Sequence, residues 1–77
     1  MTESVYSEEY RRFTALLRSL RQEAGLTQTA VAESLGMPQS YVSKYESGER
    51  RLDVVETARV ARVLNLDLVT LAARLNL

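Results

Sequence analysis

The chain has no cysteine, which excludes a disulfide framework and a thiolate metal site. It has no histidine, which removes the commonest zinc ligand and the commonest general base. No apolar run approaches the ~20 residues of a membrane-spanning helix. The opening segment MTESVYSEEY lacks the basic start and apolar middle of a signal peptide, so a cytoplasmic location is expected. Strand signals are missing as well: there is no alternating polar-apolar run and no Asn-Gly hairpin. Repeats, linkers and low-complexity stretches are absent.

Net charge is also lacking. Cut after Leu26 and after Leu52, the chain gives three balanced parts, with four acids against four bases, then three against three twice. Composition therefore offers no general support for a polyanionic partner, and only local placement of cations can supply it. Lys44, Arg50 and Arg51 form a local cluster. Carboxylate pairs such as Glu8-Glu9 and Glu46-Glu49 have neither a histidine nor a cysteine to work with, nor a glycine-rich phosphate loop. No enzymatic activity, cofactor or metal is expected.

What remains is a helical pattern in a chain of 77 residues, enough for one domain. That length is near the lower margin for a self-sufficient core, which makes oligomerisation a plausible supplement. Residues 1–6 show no periodicity and are expected to form a flexible N-terminal arm. Ser7 is a suitable cap for a first helix, with Glu8 and Glu9 in its first turn. Tyr10, Phe13, Leu17, Leu20 and Ala24 then recur at spacings of three and four as one buried stripe, and Gly25 ends the helix.

The stretch Thr27 to Ser47 reads as two short helices joined by a tight turn. Thr27 is an N-cap, Val31 and Leu35 share a face, and Gly36 suits a left-handed stop. Pro38 suits the start of the next helix, in which Val42 and Tyr45 face inward and Gln39, Ser40, Ser43 and Lys44 outward. Ala32 stands where the second helix must cross closely. Beyond Gly48, Asp53 with Glu56 is a capping-box signature. It opens a fourth helix to about Leu64, with Val54 or Val55, Ala58, Ala61 and Leu64 inward. Asn65 ends that helix, and Asp67 caps a last one over Leu68 to Leu75. Tyr10, Phe13, Val31, Leu35, Val42 and Leu64 are core by spacing.

A turn of three or four residues containing glycine is what a DNA-binding helix-turn-helix uses. The spaced set Leu26-Thr27-Gln28, Val31-Ala32, Leu35-Gly36, Val42-Ser43, Tyr45-Glu46 and Gly48 resembles the helix-turn-helix of phage repressors and Cro proteins, the XRE family of bacterial regulators. The resemblance runs from roughly Tyr10 to Leu75. It implies an all-α, compact five-helix lambda-repressor-like domain over residues 7–77, with the motif proper at 28–47. It further implies sequence-specific binding of double-stranded DNA by a transcriptional regulator, a repressor acting by operator occupancy in a bacterial or phage cytoplasm. Domains of this type also serve as antitoxins or as protein-interaction modules, which is the alternative reading.

The expected DNA-binding residues are Gln28, Gln39, Ser40, Tyr41, Ser43, Lys44, Arg50 and Arg51. In the repressors that the chain resembles, the glutamine matching Gln28 touches a phosphate and braces the first residue of the recognition helix. Gln39 opens that helix, and its amide can bond the N6 and N7 edge of adenine. Tyr41 is expected on the outer side, either against DNA or covering its own helix. Ser43 has local backbone bonding as its other role. Glu46 is expected to pair with Arg50 or Arg51, leaving the other arginine for phosphate. Pro38 departs from the family, where serine or threonine is frequent, and it can supply neither a side-chain cap nor a phosphate contact. The apolar C-terminal segment leaves Val69, Ala72, Leu75 and Leu77 for a homodimer interface, and a two-fold dimer implies a palindromic operator.

Overall fold

Five helices follow one another in a computed structural model that describes the backbone of residues 2–76 and the side chains of residues 8–76. They are α1 (Thr2–Glu23), α2 (Gln28–Leu35), α3 (Gln39–Ser47), α4 (Val54–Val63) and α5 (Leu68–Arg74). The all-α expectation holds. The first helix, however, starts at Thr2 and not at Ser7, so most of the segment expected as an arm is helical; Met1 lies outside the described residues. Nothing between Thr2 and Ser7 stops a helix, since the segment has neither proline nor glycine.

The helix ends follow their capping residues. Asp53 accepts from the Glu56 amide at 2.7 Å while the Glu56 carboxylate accepts from the Asp53 amide at 3.0 Å, a complete capping box. Asp67 accepts from the Thr70 amide at 2.8 Å. Asn65 takes the left-handed conformation, φ 64°, that closes α4. Ala24 is exposed, contrary to its place in the expected stripe. The helix stops at Glu23, and the helical period no longer applies to the turn beyond it.

The core is one cluster drawn from all five helices: Leu17 and Leu20, Val31 and Ala32, Tyr41, Val42 and Tyr45, Val60, Ala61 and Leu64, and Leu71. α3 packs on α2 and α1, α2 also on α4, and α4 on α5. Phe13 and Leu35, expected as core, are half-buried and pack against its edge. On α4 the inward stripe is Thr57, Val60, Ala61 and Leu64. Val54 and Val55 are 68% and 57% exposed, against the expectation that one of them faces in. They occupy the first turn of α4, and the buried stripe of that helix begins at Thr57. Thr57 is accommodated inside because its hydroxyl donates to the Asp53 carbonyl at 2.7 Å, which leaves no unsatisfied polar atom. At the far end, Arg12 of α1 donates to the Leu75 carbonyl at 2.8 Å and ties the end of α5 to α1.

This core assignment predicts a sharp contrast between two apolar truncations. Leu17→Ala empties a fully buried site and should cost about 2–5 kcal/mol in urea unfolding. Val54→Ala, at an exposed site, should stay within about 0.5 kcal/mol of the parent. Equal losses would show that the α4 register is wrong.

Candidate nucleic-acid interface

The site starts from the turn between α2 and α3. Thr27 caps α2 by accepting from the Ala30 amide at 3.0 Å. Gly36 ends it at φ 69°, and the next amide, of Met37, reaches back to the Ala32 carbonyl at 2.9 Å. A Cβ added at Gly36 would meet nothing within 4 Å, so the requirement there is conformational and not one of space. Pro38 then stands as the N-cap of α3, φ −70° and ψ 155°, and makes no side-chain cap bond. Ala32 is buried, as the close approach of the two helices requires.

A polar relay crosses this corner. Arg21 grips Glu46 with two bonds, from Nε at 2.7 Å and from Nη2 at 3.1 Å, and its Nη1 donates to the Leu26 carbonyl at 2.9 Å. The pair is largely enclosed, with side chains 11% and 3% exposed. Glu46 raises the Arg21 pKa through the hydrogen bond between them. Gln28 donates its amide to the same carboxylate at 3.0 Å, and Gln39 donates to the Gln28 oxygen at 2.7 Å. The order of donors is forced. An ionised carboxylate only accepts, so Gln28 must turn its NH2 toward Glu46 and its oxygen toward Gln39. Gln39 must then offer its NH2 to Gln28. One amide hydrogen and the carbonyl oxygen of Gln39 are left, and they match the acceptor N7 and donor N6 of adenine.

The exposed side of α3 carries Gln39, Ser40 and Lys44, with Ser43 half-buried beside them. Tyr41 is not among them. It is buried, packs edge-on against Tyr45 at 5.6 Å, and has the Arg50 guanidinium 4.7 Å from its ring centre. Burial raises its phenol pKa, as it does more strongly for Tyr45. Tyr41 lies four residues before Tyr45 and therefore on the same face, a spacing that the outward expectation overlooked. It covers its own helix.

The arginines also pair differently from the expectation. Glu46 is taken by Arg21, so Arg50 turns to Glu56, with Nη2 to Oε2 at 2.8 Å and Nη1 to Oε1 at 3.1 Å. That bond, with the Asp53 amide, holds the Glu56 carboxyl down at about 2. Arg51 is exposed and lies 4.3 Å from the ring centre of Tyr10. The Tyr10 hydroxyl in turn accepts from the Leu52 amide at 3.1 Å. Sequence reasoning missed Arg21 and Tyr10 as supports and gave Glu46 the wrong arginine. The available signal was chemical: a half-buried tyrosine seeks a partner for its hydroxyl, and a carboxylate on the motif's inner edge needs a cation.

A family model described as a helix-turn-helix domain matches residues 12–75. A solved "XRE-family like protein" from Pseudomonas syringae superimposes with a TM-score of 0.92 at 40% identity, covering 97% of this chain and 92% of that one. The chain belongs to the XRE family of helix-turn-helix regulators. It is 36% identical over 58 residues to the "ImmF control region 10 kDa protein" of Bacillus phage phi105, covering 75% of this chain. It is 50% identical over 40 residues, 52% of the chain, to the "HTH-type transcriptional regulator PrpR" of Mycobacterium tuberculosis. The matches span 64% of the phage protein's length and 8% of PrpR.

Membership makes this chain a DNA-binding helix-turn-helix domain. Among the described residues no helix is long and apolar enough to cross a membrane.

The relay rests on an enclosed ion pair, and its two halves should not be separable. Glu46→Ala leaves a guanidinium without its partner and should cost roughly 3–5 kcal/mol in thermal or urea unfolding. The double variant Arg21→Met/Glu46→Leu should recover most of that stability. A double variant as unstable as Glu46→Ala would mean that the loss comes from packing and not from the stranded charge.

Proposed function

We propose that this XRE domain is a sequence-specific repressor of double-stranded DNA that acts by occupying an operator. The observation that carries the reading is the Gln39 amide. It stands at the N-terminal end of α3, the end that meets base edges in this docking mode, with its hydrogen-bonding direction set by Gln28 at 2.7 Å. Ser40 and Lys44 extend the same exposed side along the helix. Ser43, half-buried, is a lesser contributor. Gln28 would touch a phosphate at the start of α2 while it braces Gln39. Arg51, on its tyrosine, is the phosphate cation beyond the helix; Arg50 acts chiefly through its pair with Glu56. Tyr41 belongs to the support and not to the contact. No reaction, cofactor or metal enters this reading, and its setting is a bacterial or phage cytoplasm.

The same reading includes a homodimer. Val69 is 79% exposed on α5, and Ala72 and Leu75 are half-buried beside it; Leu77 lies outside the described residues. Two-fold pairing through this apolar surface would set two recognition helices about 34 Å apart, one turn of DNA, and give a palindromic operator.

The experiment is binding of the selected and a scrambled duplex across salt, with light scattering on the complex. Gln39→Ala should relax preference at one base pair per half-site by about 1–3 kcal/mol and leave the salt slope alone. Two protomers on one duplex are expected, with a log–log slope of roughly −5 for about three phosphates each. Full preference in Gln39→Ala, or a strict monomer on DNA, would send the reading to its rival, a protein-interaction module.

A further inference from the structure

We infer that Arg11 of α1 joins Arg51 in a clamp for one backbone phosphate at the C-terminal end of α3, an extension of the DNA contact that rests on the reading above. An open depression of about 220 Å³ lies between α1 and the end of α3, lined by Tyr10, Arg11, Thr14, Ser47, Gly48 and Arg51. Its volume is several times that of a water molecule, about 30 Å³, and so has room for a phosphate group with bound water. Both cations that line it are exposed, and among the described residues neither makes an ion pair. The other arginines nearby are committed: Arg21 to Glu46, Arg50 to Glu56, and Arg12 to the Leu75 carbonyl.

The depression is also built. Arg51 is held over the Tyr10 ring at 4.3 Å, and Tyr10 is fixed by the Leu52 amide. Thr14, buried below, donates to the Arg11 carbonyl at 3.1 Å. The residues that line it include two arginines and no acid; the carboxylate of Glu49, next in the chain after Gly48, accepts from the lining Ser47 hydroxyl at 3.3 Å. Its place relative to Gln39 fits a phosphate. The nine residues of α3 span ~13 Å, and the major groove is about 12 Å wide. With Gln39 at the base edges, the opposite end of the helix stands over the strand that bounds the groove.

The chemistry recognised is a phosphate monoanion, and the two sources, DNA backbone and free phosphate, are separated by the test. Arg11→Ala should weaken selected and scrambled duplexes alike, by roughly threefold to tenfold at 0.1 M salt, and lower the log–log slope by about one unit per protomer. Arg59→Ala, the same charge change on exposed α4, should leave the slope unchanged. A neutral methylphosphonate scanned along the flank should, at one position per half-site, make the parent and Arg11→Ala equal. An Arg11→Ala that behaves like Arg59→Ala overturns the clamp while the recognition reading stands. If inorganic phosphate then shifts the Gly48 amide saturably, the pocket takes free anions and not DNA. A parent chain that binds no duplex overturns both.

Discussion

The ion pair between Arg21 and Glu46 sets the geometry of the exposed start of α3. It joins the end of α1 to α3, and it fixes the donor direction of Gln28 and then of Gln39. A buried ion pair is a poor source of stability, because desolvation offsets most of the attraction. Its use here is directional. Amides can flip, but an enclosed carboxylate that only accepts leaves no second arrangement for the glutamines above it. The exposed start of α3 thus presents Gln39 in one orientation, the one that the proposed base contact requires.

A second support works at the other end of α3. Tyr10 receives the Leu52 amide and carries Arg51 on its face, while Tyr41 and Tyr45 fill the space under α3 and Arg50 covers Tyr41. Three of the four tyrosines thus hold the motif and its following loop in place. Placement of cations by aromatic faces and ion pairs explains how a chain with no net charge serves an XRE domain: what matters is where a few arginines stand, and on what.

Much of this was legible in the sequence, for physical reasons. Caps act locally, so Thr27, Gly36, Asp53, Asn65 and Asp67 mark their helix ends without reference to the rest of the chain. The pairing of Gln28 with Gln39 was legible through the family resemblance. The rest depends on tertiary geometry. Tyr41 follows the helical period into the core once Tyr45 is taken as its partner, but an aromatic one step from an exposed serine reads as exposed. Val54 and Val55 stand in the first turn of α4, before the buried stripe that begins at Thr57, and spacing alone does not mark where that burial starts. The partners of Glu46 and Arg50 were misassigned because sequence nearness favoured the arginines after α3. In the fold, Arg21 is 25 residues away from Glu46 and reaches it first.

In the proposed function Gln28 and Gln39 read DNA as one unit. The most direct measurement is a double-mutant cycle on base discrimination, with Gln28→Ala, Gln39→Ala and the pair tested against duplexes that vary at the base pair Gln39 reads. The account predicts that Gln28→Ala lowers discrimination at that base pair, and has no further effect on it once Gln39 is alanine. That non-additivity corresponds to a coupling of about 0.5–3 kcal/mol. Full discrimination in Gln28→Ala, or losses that simply add, would contradict it.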